Sequence, residues 1–214
     1  MKPPGRVHAL VVGPFESNTY VVSDGGQALV VDPGAEAGRT RAWVDAHRLK
    51  VQAIVLTHGH LDHVGAVAEL ERAWDVDSYL HPADRFLLDL LPETCARYGI
   101  EPPYERPARV RELRSGAVFR AGAAGLTVAE TPGHSPGGVV LVGPGFALTG
   151  DLIFAGSVGR TDLPGSDPRQ LLDSIERAVL VLPGTTVLYP GHGPATTVDS
   201  ERRGNPFLAP GARP

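Results

Sequence analysis

The feature that most constrains this chain is a turn crowded with metal-binding residue types between a strand and a helix. Residues 51–56 are rich in branched apolar side chains and predict a buried strand. The segment that follows reads His58-Gly59-His60-Leu61-Asp62-His63. After it, apolar side chains recur with helical spacing at Val64, Val67, Ala68 and Trp74. The fold must therefore hold three imidazoles and a carboxylate at one strand-to-helix turn, where they suit a divalent metal ion.

Three more potential ligands occur later in the chain in a similar setting. They are His134 in Thr-Pro-Gly-His, Asp151 in Thr-Gly-Asp and His192 in Pro-Gly-His-Gly, each after a strand-like apolar segment. With the first four they make seven donors, which is more than one tetrahedral ion takes. The sequence therefore predicts two metal ions that share a bridging ligand.

The composition is that of an ordinary globular protein and disfavours several function classes. The 214 residues suffice for one sizeable core, and we expect a single domain over residues 1–214. With 24 acidic and 20 basic residues, the chain offers no excess of positive charge for nucleic acid. We expect no export signal and no membrane span, because no apolar stretch is long enough. The single cysteine, Cys95, excludes an intrachain disulfide and favours a cytoplasmic location, while homo-oligomerisation stays open.

Two groups of strands with helices between and after them predict a layered α/β architecture. Strands are predicted at 7–12, 19–23, 28–31, 51–56, 78–81, 117–119, 126–130, 139–142, 146–149 and 185–189. Helices are predicted at 39–48, after the histidine turn, at 83–91, and after Asp167, which is placed to cap a helix with Pro168 and Gln170 in its first turn. The proline-broken segment 92–107 is interpreted either as a lid over a pocket or as a surface loop. The tail after Arg202 is expected to be irregular.

The ordered motifs resemble those of the metallo-β-lactamase superfamily. The resemblance covers almost the whole chain: the segment 57–63, the pairs at 133–134, 150–151 and 191–192, and Asp32 upstream. It implies a four-layered αββα sandwich, with two facing sheets between outer helices. It also implies a site at one edge, on the loops that follow the strands.

The resemblance further implies how the seven donors divide between two ions. The two sets are His58, His60 and His134 on the first ion, and Asp62, His63 and His192 on the second. Asp151 would bridge, with Asp62 and Asp151 as the catalytic carboxylates around a bridging water, the expected nucleophile. Asp32 would hold a ligand in orientation; the alternative is a plain turn residue in Asp-Pro-Gly. Zinc is the expected metal, although imidazole and carboxylate donors also accept iron and manganese.

The segment 150–162 is similar to that of the short bacterial relatives of glyoxalase II, the hydroxyacylglutathione hydrolases. These enzymes cleave acyl thioesters such as S-lactoylglutathione, whose thiolate leaves without a strong general acid. Arg160 would then pair either with a substrate carboxylate or with Asp162, and both interpretations stay open. This chain is expected to lack the carboxy-terminal helical domain of full-length glyoxalase II, which leaves the thiol carrier open.

Two other functions compete with a hydrolase. The resemblance also extends to persulfide dioxygenases, which share a Gly-Arg-Thr-Asp run such as residues 159–162 and would bind one iron through His58, His134 and Asp151. Those enzymes usually carry cysteine at the position of Gly59, which disfavours this alternative. A non-catalytic metal-binding protein is the further alternative, although relatives of that kind usually lose ligands.

Overall fold

In the computed structural model, which describes residues 6–209, two six-stranded β-sheets pack face to face. The first sheet follows chain order and consists of β1 (Arg6–Val12), β2 (Ser17–Asp24), β3 (Gln27–Val31), β4 (Lys50–Val55), β5 (Ser78–Leu80) and β6 (Val110–Glu112). Its first three strands are antiparallel. Strands β3 to β6 are parallel, so their carboxyl ends lie at one edge.

The second sheet is mostly antiparallel. Its strands are β7 (Val118–Ala121), β8 (Ala124–Glu130), β9 (Val139–Gly143), β10 (Phe146–Gly150), β13 (Val187–Pro190) and β14 (Thr196–Thr197). Between β10 and β13 in the chain, β11 (Ile153–Phe154) and β12 (Ser157–Val158) form a separate two-stranded hairpin. The spatial order is β14-β13-β10-β9-β8-β7, and β10 and β13 are parallel. Because β8 and β10 are both antiparallel to β9, they also run in the same direction.

Helices cover the outer face of each sheet. Against the first sheet lie α1 (Ala37–Ala46), α2 (Leu61–Val64), α3 (Val67–Trp74), α4 (Arg85–Asp89) and α5 (Leu91–Tyr98). Against the second lie α6 (Pro168–Ser174), its π-helical continuation Ile175–Val179, and α7 (Val198–Gly204). None of the helices within residues 6–209 is both long and apolar enough to cross a membrane.

Alternating side chains show how the layers are held together. In β3, Ala28 and Val30 pack against the helices, whereas Leu29 and Val31 enter the core between the two sheets. This period of two is expected of a strand that is buried on both faces. The second sheet contributes Leu126 and other buried side chains to the same inter-sheet core. The predicted four-layered αββα sandwich is therefore confirmed.

Local sequence rules placed some helix ends correctly. Asp167 caps α6 as predicted, since its carboxylate accepts hydrogen bonds from the backbone N–H groups of Arg169 at 2.8 Å and Gln170 at 3.0 Å. The helix after the histidine turn is instead divided into α2 and α3. At the break, a Cβ on Gly65 would lie 2.3 Å from the carbonyl oxygen of Gly34, so the backbone there packs too closely for a side chain.

Two predicted irregular segments contain helices. The first part of 92–107 forms helix α5, because Pro92 lies in its first turn, where no backbone N–H is required. Gly99 then ends the helix with a left-handed φ of 68°. The tail after Arg202 begins inside α7, which was not predicted and which Thr197 caps through the backbone N–H of Ser200. A 3₁₀ turn, Pro206–Leu208, follows, so the prediction of an irregular tail was wrong up to that point.

The inter-sheet core predicts a clear stability difference within the second sheet. Leu126 is fully buried, whereas Val118 on the neighbouring strand is 49% exposed. We expect Leu126→Ala to lower the free energy of unfolding by about 3 kcal/mol, because the lost side chain leaves a cavity. The control Val118→Ala should change it by less than about 0.5 kcal/mol. Urea unfolding checks both values, and equal losses would contradict this assignment of the core.

Candidate metal centre

The histidines and aspartates predicted from the sequence all lie just after strands, on loops or, for Asp62 and His63, in the short helix α2. Asp32 follows β3, the segment 58–63 follows β4, and His134 follows β8. Asp151 and His192 follow β10 and β13, which are parallel and adjacent. The common direction of these strands within each sheet delivers the loops to one edge of the sandwich. The side chains meet there despite their separation along the chain.

The first cluster contains three imidazoles, those of His58, His60 and His134. The ring centroid of His58 lies 4.8 Å from that of His60 and 4.9 Å from that of His134. Nδ1 of His60 and Nε2 of His134 are 2.9 Å apart. One ring nitrogen from each residue lies within 4.8 Å of the other two, which is close enough for all three to bind one cation.

A second cluster lies beside the first and contains Asp62, His63 and His192. Oδ2 of Asp62 is 3.0 Å from Nε2 of His192 and 3.4 Å from Nε2 of His63. Asp151 contacts both clusters: its carboxylate lies 3.4 Å from Nε2 of His63 and 3.6 Å from Nε2 of His134. A carboxylate in this position can bind one ion through each oxygen.

Contacts on the outer side of the imidazole rings fix their orientation. Carbonyl oxygens accept from two of the rings: Nδ1 of His134 donates to Arg160 at 2.9 Å, and Nδ1 of His192 donates to Phe15 at 3.1 Å. Because each outer nitrogen carries the proton, the inner Nε2 keeps a free lone pair. His58 is held in the same way, with Nδ1 at 3.0 Å from the Thr57 hydroxyl.

Asp32 lies directly behind this arrangement and is buried. Its carboxylate accepts from the backbone N–H of Thr57 at 2.7 Å and from the Thr57 hydroxyl, and it lies 3.1 Å from Nδ1 of His63. The residue adopts a left-handed φ of 49°, which is uncommon outside glycine. These contacts go beyond those of an ordinary turn aspartate, because they join the ends of two strands to a ring of the cluster.

The inner atoms of the clusters test whether the residues suit a metal. Within the described part of the chain, Nε2 of His58, Nε2 of His63 and Oδ1 of Asp151 are buried and make no hydrogen bond. An unpaired buried polar atom costs on the order of 1–3 kcal/mol, so three in one place require a compensating partner. A cation bound between them supplies that partner. The donor set therefore fits divalent metal ions.

Burial and neighbouring charges shift the pKa values of the cluster residues in different directions. Burial, followed by the nearby His63 ring, holds the pKa of His58 well below its ordinary value, and burial lowers the pKa of His60 to about 3. Burial opposes ionisation of Asp62 and Asp151, yet His63 and the other nearby histidines together outweigh it and lower the pKa of both carboxyls. Burial also lowers the pKa of His63, but these carboxylates raise it well above its ordinary value. A cation that binds His63 would therefore compete with the proton that this raised pKa favours.

Two residues that hold the loops of the site, Ser17 and Asn18, were not predicted from the sequence. The side-chain amide of Asn18 donates to the carbonyl oxygens of Pro190 and Gly193, both at 2.9 Å, which holds the loop of His192. The hydroxyl of Ser17 donates to the backbone carbonyl of Asp62 at 2.6 Å. No spacing motif marks these residues, because they reach the site from β2, more than 40 residues away from the nearer loop.

The other three histidines and the cysteine lie away from this site. His8 and His47 stack on the ring of Trp43, with centroid distances of 4.1 and 3.9 Å, and His81 approaches Glu130 at 3.3 Å. Cys95 is buried in the core beneath the helices of the first sheet. None of these residues belongs to the two clusters.

A cavity of about 360 Å³ opens beside the clusters. Its wall combines predicted ligands with apolar side chains and a few charged groups; among these are Phe15, Leu87, Leu90, Glu93, Arg97, Tyr98, Arg160 and Leu163. Helix α5 supplies part of this wall, so the segment 92–107 borders the site. Arg160 forms two hydrogen bonds to Asp162, of 2.7 and 2.8 Å, on an exposed loop.

Comparison with known proteins identifies the family. A profile of the metallo-beta-lactamase superfamily matches residues 12–192. The chain belongs to that superfamily. Among its relatives is the hydroxyacylglutathione hydrolase GloC of Haemophilus influenzae, which is 34% identical over 208 residues, covering 95% of this chain and 98% of GloC.

Solved structures give the same family. TTHA1623 in a di-iron-bound form is 42% identical, with a TM-score of 0.86 over 94% of this chain and all of that one. The B3 metallo-beta-lactamase BLEG-1 is 34% identical, with a TM-score of 0.84 over 95% of this chain and 100% of its own. ETHE1 from Myxococcus xanthus is 25% identical, with a TM-score of 0.78 over 96% of this chain and 85% of that one.

The position of Asp151 between the clusters predicts its share in metal retention. We expect Asp151→Ala to lose more metal per molecule than His192→Ala, because Asp151 contacts both clusters, whereas His192 completes only one. Metal analysis of the purified variants measures the difference. Loss of the same single ion from both variants would contradict a bridging position.

Proposed function

We propose that this chain is a two-metal hydrolase that cleaves acyl thioesters of the S-2-hydroxyacylglutathione type. The observation that carries this proposal is the pairing of two three-residue clusters through the carboxylate of Asp151. Membership of the superfamily and the similarity to GloC support it. We propose a cytoplasmic location for this activity, on the grounds given by the sequence.

The residues that would hold the two ions follow from the clusters. His58, His60 and His134 would bind one ion, while Asp62, His63 and His192 would bind the other. When bound, such ions lower the pKa of a shared water and polarise a carbonyl group. Zinc is our proposal for the metal. Iron is the specific competitor, because TTHA1623 has been solved in a di-iron-bound form.

The residues around the cavity suit a substrate whose leaving group needs no proton donor. Apart from the predicted ligands, Glu93 is the only carboxyl group on the cavity wall within residues 6–209. It is exposed and lies 3.5 Å from Arg97, so it is poorly placed to protonate a leaving group. A thiolate departs without such help, whereas the amine of a cleaved amide requires it. This contrast favours a thioester.

The match to GloC and the charge of the cavity wall support glutathione as the thiol carrier. GloC is matched over 98% of its length, so nearly all of that hydrolase has a counterpart within this chain. Arg97 and Arg160 stand on the cavity wall and provide positive charge for the carboxylates of glutathione. The apolar wall formed by Leu87 and Leu90 leaves room for an acyl group.

A persulfide dioxygenase with one iron is the second candidate, for which the match to ETHE1 is the supporting comparison. Packing around Gly59 weighs against it. A Cβ at this position would lie 2.9 Å from the backbone oxygen of Asp84 and 3.2 Å from Cβ of Leu87. A cysteine here would require α4 to move. The chain also keeps the second cluster, which a single iron does not use.

A substrate comparison tests the proposed reaction. We expect purified protein with two metal ions per chain to hydrolyse S-lactoylglutathione faster than a small neutral thioester, and both faster than a chromogenic cephalosporin. The similarity to BLEG-1 makes the cephalosporin an essential arm. Fastest turnover of the cephalosporin, or oxygen uptake with glutathione persulfide in place of thioester cleavage, would overturn the proposal. Metal binding without any turnover would favour the non-catalytic alternative.

Substitution of Arg160 separates its two interpretations. If its guanidinium binds a substrate carboxylate, Arg160→Ala should raise KM for S-lactoylglutathione roughly 5- to 10-fold with little change in kcat, as expected of uniform binding at an exposed site. The matched control is Asp162→Asn, which removes the competing carboxylate and should lower KM. A raised KM in both variants would show that the ion pair serves to shape the loop.

A further inference from the structure

A carboxylate that the proposed reaction does not use lies fully buried next to the first cluster. Asp84 occupies the end of the 3₁₀ turn Pro82–Asp84, after β5. It accepts three hydrogen bonds: from the backbone N–H of Gly59 at 3.0 Å, the hydroxyl of Ser135 at 2.7 Å and the backbone N–H of Gly137 at 2.6 Å. All three donors belong to loops other than its own.

Asp84 makes these contacts instead of capping its own helix. It stands at the N-cap of α4, where an aspartate normally accepts from the first turn of its own helix, but it makes no such bond. The two glycines allow the close approach. A Cβ on Gly137 would lie 2.8 Å from Cγ of Asp84, and a Cβ on Gly59 would lie 3.2 Å from Cβ of Asp84.

The two loops that Asp84 joins carry all three members of one cluster. Gly59 lies between His58 and His60, while Ser135 directly follows His134. A single carboxylate thus fixes the separation of two loops that must together form one binding site.

The second cluster is supported by different groups. Ser17 holds the backbone of Asp62, Asn18 holds the loop around His192, and Asp32 contacts the ring of His63. None of the hydrogen bonds made by Asp84 reaches these residues. The two clusters therefore differ in most of their supports, although Asp151 contacts both and Asp32 also reaches the His58 ring through the Thr57 hydroxyl.

We propose that Asp84 is a positioning residue that sets the metal affinity of the His58–His60–His134 cluster and leaves that of the Asp62–His63–His192 cluster nearly unchanged. This inference rests on the proposed two-metal site. Without the carboxylate, the two loops would have to be ordered at the moment of metal binding, and that cost would lower the affinity. Groups that orient metal ligands typically affect metal affinity by about 10- to 100-fold.

The chain provides a matched control in Glu71. This buried carboxylate also accepts three hydrogen bonds from one hydroxyl and two backbone N–H groups: Ser78 at 2.6 Å, Ala108 at 2.9 Å and Arg109 at 3.1 Å. It ties α3 to β5 and to the segment before β6, and it makes no hydrogen bond to a ligand loop. Glu71→Gln therefore removes the same kind of interaction at a place without predicted ligands.

The experiment measures zinc binding to the full chain by titration, with unfolding of the metal-free protein followed in parallel. We expect Asp84→Asn to weaken one of two zinc sites by about 10- to 100-fold. Glu71→Gln should lose comparable stability and retain both zinc affinities. Ser135→Ala, which removes one of the three hydrogen bonds but keeps the carboxylate, should weaken the same site only a few-fold, and it serves as the test if Asp84→Asn does not fold.

Two backgrounds identify which cluster is affected. In His192→Ala, where the first cluster remains complete, adding Asp84→Asn should weaken the remaining zinc site by the same factor. In His60→Ala, where the second cluster remains complete, the addition should leave zinc affinity within about two-fold. Equal weakening in both backgrounds, or in neither, overturns the inference. If the unsubstituted chain binds only one zinc ion, the two-metal proposal fails. In that case, the inference about Asp84 stands if Asp84→Asn weakens the binding of that ion and fails if it does not.

Discussion

The structure depends on one electrostatic constraint: five histidines and two aspartates must face one another in a largely buried space. Left alone, the inner nitrogens and oxygens would turn outward to water, because buried polar atoms without partners are costly. The outer contacts prevent this. Asp32 and the carbonyl oxygens of Arg160 and Phe15 each hold the far side of a ring, so the near side remains directed at the centre. The fold thus maintains the arrangement that divalent cations can stabilise.

Buried carboxylates perform much of this support, both at the centre and away from it. Asp32, Asp84, Glu71 and Glu201 each accept several hydrogen bonds, at least one of them from a group distant in the chain. A charged acceptor in the interior strengthens such bonds, and it is tolerable only when its donors are fixed. Each of these residues therefore joins segments that would otherwise be separate loops. The candidate metal centre uses the same kind of support as the rest of the fold, and there the joined loops carry the predicted ligands.

Patterns of short range were predictable from the sequence because their causes are local. Short apolar runs predicted the main strands, and the Asp167 cap predicted the start of α6. Two helices were not predicted: one contains a proline that was interpreted as a helix breaker, and the other depends on packing between distant segments. Helix α5 follows from Pro92, which breaks a helix interior but suits its first turn. Helix α7 contains few large apolar side chains, and its packing on the second sheet through Val198 is set by the tertiary structure.

The sequence by itself determined which residues could bind metal and in what order they appear, because imidazole and carboxylate donors after apolar segments are visible in one dimension. It did not determine how those donors are held. The supports at Ser17, Asn18 and Asp84 lie on other strands or turns, and their residue types are common in ordinary loops and caps. Only the pairing of strands and the packing of the two sheets bring them behind the ligands. Hydrogen bonds between segments 45 to 172 residues apart leave no local trace in the chain.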